Sequence, residues 1–150
     1  MEVRIVGLQH CSHCHQIVAL FLPCAAGAGP LDEGIALGVR VEAAVGALLE
    51  DFEGGPPSLV DHFLDRSRER GEVPRQIRFE REAPGVVVAL VYLQGPDGVT
   101  AVRCTPGEGV LIAVALGLPC FIDDDDLRDS TRDEFHRVRV ASRGNAPLLH

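Results

Sequence analysis

VRCTPGEGVLIAVALGLPCFI, residues 102–122, changes its secondary structure within one turn. Val102 and Cys104 alternate with Arg103, as a strand would. Thr105 then stands at an N-cap, Pro106 takes the first helical position, and Glu108 follows three residues after the cap. That pattern is a capping box with proline at N1. Losing such a cap costs about 1 kcal/mol. Residues 110–116 carry no charge and Gly117 stops them, so the spacing predicts a helix over 106–116. Apolar on nearly every side, this helix must be buried against a sheet. Cys120–Ile122 reads as the last strand. One stretch thus fixes a helix-on-sheet architecture.

Toward the N-terminus the same alternation recurs. TAVRCT, GVVVALVYL and RQIRFER are strands, and GPDG between the first two is a hairpin turn. LVDHFLDRSRER reads as a helix capped by Ser58 and closed by Gly71, with Leu59, Val60, Phe63 and Leu64 on one face. Val41, Ala44, Val45, Leu48, Leu49 and Phe52 form the stripe of a further helix, stopped at Gly54. EVRIVGL and IVALFLP read as a hairpin, and IALGV as a short strand. The fold class is α+β: a mostly antiparallel sheet with about three helices packed to one side. Residues 1–122 form one domain. Residues 123–150 form an acidic tail, helical to about residue 136 and then frayed. The run Asp123–Asp126 lacks the glycine and terminal glutamate of a calcium loop and reads as a solvated helix entry.

Length and charge narrow the function. At 150 residues the chain can build a core of its own. No apolar run approaches the roughly 20 residues that span a bilayer, and the N-terminus lacks a signal-peptide pattern. The expected setting is cytoplasmic, with no membrane partner. A net charge of −8 repels nucleic-acid phosphates on average, and the one dense arginine stretch, residues 65–82, is interleaved with acids. Any nucleic-acid binding is therefore expected to be weak.

Five cysteines in such a chain argue against a disulfide framework. Cys104 and Cys120 lie in apolar surroundings and are expected to be buried. Cys11 and Cys14 have the CxxC spacing of half a zinc site. Cys24, on the returning strand, and His10, His13 and His15 are candidates for the remaining Zn²⁺ ligands. The competing reading is a polar hairpin tip.

Three places in the chain resemble the bifunctional nuclease (BFN) domain family. IALGVRVEAAVGALLEDFEGGPP resembles the family's strand, Glu-Ala helix and Glu-Gly-x-x-Pro connection. LVDHFL is similar to its Leu-Thr-His-Asp-Leu-Leu helix start, and residues 102–122 to its Val-Asp-x-Arg-Pro-Ser-Asp-Ala turn, helix and closing Gly-x-Pro-Ile strand. The resemblance covers about residues 1–122 and implies metal-dependent hydrolysis of DNA and RNA. On the matching positions it points to Asp61, His62 and Glu108 as catalytic groups. Carboxylates would hold Mg²⁺ or Mn²⁺ and the imidazole would activate water. Arg40 and Arg103 are the candidates for holding phosphates. The departures fall at these same places. Thr105-Pro106-Gly107-Glu108-Gly109 lacks the family's serine and lengthens its aspartate, and Asp61-His62 reverses its His-Asp pair. A one-position shift rotates a helical side chain by about 100°. Two readings follow: a nuclease-like hydrolase with weak or lost activity, or a non-catalytic binding or regulatory module stabilised by zinc. A homo-oligomer is compatible with both.

Overall fold

The computed structural model describes residues 1–10, 16–24, 35–41, 59–84, 86–123 and 135–139, with backbone alone for His10, Ile35, Ala36 and 135–139. Among these residues the chain order is β1 (Glu2–His10), β2 (Ile17–Pro23), β3 (Ile35–Val41), α1 (Leu59–Glu69), β4 (Val73–Ala83), β5 (Val86–Gly95), β6 (Gly98–Cys104), α2 (Pro106–Leu116), β7 (Cys120–Ile122) and β8 (Phe135–Arg139). The strands form one sheet in the order β6-β5-β4-β7-β1-β2-β3-β8. β4 and β7 pair in parallel, and every other pairing is antiparallel.

α2 starts where β6 ends and delivers the chain to β7, in the middle of the sheet. It packs against β3, β4 and β5. Four strands separate β3 from β5, which in a flat sheet would hold them roughly 24 Å apart. A helix about 10 Å across touches both only because the sheet curls around it. Inside the curl lie Phe21, Leu37, Val39, Ile77, Phe79, Val91, Val110 and Ile122, each fully buried. Phe21 and Phe79 meet edge to face at 5.0 Å, a favoured aromatic geometry.

The helix predicted over 106–116 is present with its capping box. The Glu108 N–H donates to Thr105 Oγ1 at 3.2 Å, and the Thr105 N–H donates to Glu108 Oε2 at 2.9 Å. Gly117 closes the helix in the left-handed conformation, φ 62°. Gly109 has a packing role: a Cβ there would lie 2.5 Å from the Ala89 Cβ. The absent side chain lets the helix backbone settle on β5. Burial is uneven along α2. Val110, Leu111, Ile112 and Ala113 are buried, whereas Val114 and Leu116 in the last turn are exposed. Val41, expected beside α2, is buried in the same core.

Several expectations need correction. Val41 ends β3 instead of opening a helix, and positions 42–52 of that predicted helix, with Val45 and Leu48, lie outside the described residues. Two helices are described, both shorter than 12 residues. In α1 the inward stripe is Val60, Phe63, Leu64 and Ser67, an i, i+3, i+4, i+7 set. Leu59 sits about 100° from Val60 and is 80% exposed. Cys120–Ile122 is not the last strand. β8 follows it and pairs with β3 from Ile35↔Arg139 to Val39↔Phe135, within the segment read as helix and frayed tail. In Phe135–Arg139 apolar residues fall on both faces, so no clean alternation marks the strand. What orders it is the free edge of β3. Ser58, read as the cap of α1, lies outside the described residues.

Candidate functional site

The first turns of the two helices face a common hollow of about 200 Å³. Leu59, Val60 and Phe63 of α1 form one wall, Val91 and Val102 of β5 and β6 the floor, and Ile112 of α2 the other wall. Arg103, Cys104 and Glu108 complete the lining where β6 turns into α2. The local cause is the Thr105–Pro106 turn: by starting α2 immediately after β6, it sets one polar cluster against an apolar floor.

Among the predicted catalytic residues the structure brings only Glu108 to this hollow. Its Oε2 accepts the Thr105 N–H at 2.9 Å and the Thr105 hydroxyl at 3.1 Å, so that oxygen serves the cap. Asp61 and His62 are exposed in the first turn of α1 and do not line the hollow. Counted from Val60, Asp61 is turned by about 100° and His62 by about 200°, which puts the imidazole opposite the buried stripe. Neither position lines the hollow, so either order of the pair leaves both side chains outside it.

The two arginines separate as well. Arg103 lines the hollow, and its guanidinium pairs with Glu82 across the sheet. Both partners are largely solvated, so the pair contributes at most about 1 kcal/mol, yet it occupies the charge expected to hold phosphate. Arg40 is exposed on β3 between buried Val39 and Val41, which turns it to the sheet face opposite the core and away from the helices.

Of the predicted zinc ligands, Cys11, His13, Cys14 and His15 lie outside the described residues. His10 ends β1 opposite Ile17, whereas the Cys24 N–H bonds the Glu2 carbonyl at 3.1 Å. Cys24 therefore sits at the opposite end of the hairpin, roughly 25 Å from His10 along the strand. It cannot share an ion with His10, because the hairpin returns past the whole length of β1. Among the described residues no three His, Cys, Asp or Glu side chains gather to hold a metal.

Cys24 belongs to a second concavity of about 370 Å³, bordered by β1, the end of α2 and β7, with Cys120 on its wall. Burial, with the Cys24 sulfur adding to it, pushes the Cys120 thiol from 9.0 up to about 12. It stays protonated at neutral pH and is a poor nucleophile or ligand. Cys120 is buried as expected, but Cys104 is only half-buried. Sequence reasoning missed this concavity because its residues come from two distant parts of the chain, within 2–24 and 113–120, with no shared motif.

Comparison with protein-family models and with curated proteins finds no match to this chain. No described helix is long and apolar enough to cross a membrane.

Proposed function

We propose that the chain is a bifunctional-nuclease-like domain protein with weak metal-dependent hydrolysis of DNA or RNA phosphodiesters, working at the hollow between α1 and α2. One observation carries this reading. The two helix starts on which the family resemblance rests, at LVDHFL and at the Thr105–Glu108 turn, line the same hollow, with Glu108 in its lining. Mg²⁺ commonly binds through one or two carboxylates, keeps several waters and takes its remaining ligands from substrate phosphates. A single carboxylate at an open hollow suits an ion that arrives with the substrate. When bound it would neutralise phosphoryl charge. The chain's own share is then small: Glu108 holds the ion and the apolar floor seats a base or sugar. A cytoplasmic setting and weak affinity for nucleic acid follow from the same reading.

The test is hydrolysis of single-stranded DNA and RNA by purified protein, with Mg²⁺ or Mn²⁺ and then with chelator. Glu108→Gln separates chemistry from folding, since glutamine at this position preserves the capping box. Low, chelator-sensitive cleavage that falls at least about tenfold in Glu108→Gln is expected, as for loss of one stabilising group. Cleavage unaffected by chelator, or equal in the variant, removes Glu108 from the chemistry.

A second reading, a non-catalytic binding or regulatory module, is favoured by the commitments of Glu108 Oε2 to the cap and of Arg103 to Glu82. On that reading no metal-dependent cleavage rises above background, and the hollow takes a partner's apolar group.

A further inference from the structure

Among the described residues β6 is an edge of the sheet, and almost nothing protects it. It pairs with β5 over all seven residues without a bulge. It contains no proline, and its one charge, Arg103, is held by Glu82. Val99 is 63% exposed. Natural sheets blunt such edges with bulges, prolines or charges, because open backbone groups recruit another strand.

The register shows which groups are open. Gly95 and Gly98 pair across a two-residue turn, so they are the hydrogen-bonded closing pair of the hairpin. Hydrogen bonding then alternates, and Leu93↔Thr100, Val91↔Val102 and Ala89↔Cys104 are bonded pairs. Val99, Ala101 and Arg103 consequently aim their N–H and C=O groups away from β5, at the open edge.

We propose that this edge pairs with β6 of a second copy of the chain, antiparallel about a two-fold axis at Thr100. That register bonds Val99 to the partner's Ala101, and Ala101 to the partner's Val99, so every open group of both residues is satisfied. Thr100 then faces the partner's Thr100 in a non-bonded pair, where side chains approach most closely and threonines pair favourably. The charges also agree. Asp97, exposed in the turn, falls opposite the partner's Arg103, and the symmetry makes that contact twice. Self-pairing places no like charges opposite one another, although each chain carries −8 overall. The two sheets become one continuous sheet through the dimer.

The experiment is sedimentation equilibrium of the full chain from micromolar to millimolar concentration, with three proteins. The wild type is expected to form a reversible dimer. Ala101→Pro removes an outward N–H at an edge position where proline is tolerated. Asp97→Arg sets arginine against arginine in an exposed turn and leaves the ladder intact. Each is expected to weaken the dimer by about tenfold or more, the size of losing such bonds at an interface. A wild type that remains monomeric throughout overturns the proposal. So does a dimer whose affinity Asp97→Arg leaves unchanged, whether or not Ala101→Pro folds.

Discussion

α1 and α2 have the same length, 11 residues, and are held in opposite ways. α2 is apolar all round, capped at both ends, and seated so that Gly109 touches the sheet through its backbone. α1 shows the interior a half-buried stripe and shows water the ion pairs Asp65–Arg68 and Arg66–Glu69. One helix is located by what it lacks, a Cβ; the other by which side chains it turns inward. The hollow between them therefore has one wall fixed by close packing and one wall resting on side chains that can repack.

The contrast breaks most completely at Gly109. Gly109→Val should cost about 3 kcal/mol, the upper end of overpacking, because the new side chain meets Ala89 and the Phe79 ring, not solvent. Urea unfolding at unchanged slope measures it. Ala89→Gly in the same chain should return part of the loss, a coupling that only direct contact produces. Additive costs would mean that the helix does not rest on β5 there.

Alkaline pH probes the same side of the molecule. Cys120 lies in the core at the foot of α2, with its folded-state value near 12 against 9.0 when solvated. Below pH 9.0 both states hold the proton and stability is unaffected. As pH rises from 9.0 toward 12 the unfolded chain releases the proton first, so stability falls through that window. Cys120→Val should remove this component, read as a flatter unfolding free energy above pH 9.0. An identical decline in the variant would assign the loss to other groups.

The smallest effect belongs to α1. Arg68→Ala removes the 3.0 Å contact to Asp65 and should cost about 0.2–0.5 kcal/mol, vanishing at high salt. A loss above about 1 kcal/mol would exceed what an exposed pair contributes and would make α1 a structural wall like α2.

These differences track what could be read from the sequence. The cap, proline and stop glycine around α2 act within a few residues, so their pattern in the chain is their pattern in space. The β4–β5–β6 meander was legible for the same reason: its turns are short. β8 was not, since its partner β3 is about 100 positions away and the strand has no amphipathic alternation of its own. The candidate site was legible in half. Glu108 and Arg103 follow from the turn that positions them, but the Arg103–Glu82 pair depends on two strands meeting across a third. His62 lies outside the hollow because one position along a helix separates the side facing the hollow from the side facing solvent. Cys24 lies far from His10 because hairpin register, set by the whole strand, places it beside Glu2.

β7 has three residues and holds the sheet together. On one side it runs along β4, and on the other it pairs Val3 with Cys120 and Glu2 with Phe121. The hydrogen bond from Met1 N to Ile122 O closes this seam between groups 121 positions apart. For a ribosome this means that β1 cannot take its place in the sheet until β7, far downstream, has been made. At about 5–20 residues per second that is a wait of roughly 6–24 s. Through that interval β1 and β2 can pair with each other, but the β7 side of β1 stays open. β1 is thus completed only late, and the β1–β2 hairpin keeps one side exposed to a helper or to a wrong partner while synthesis continues.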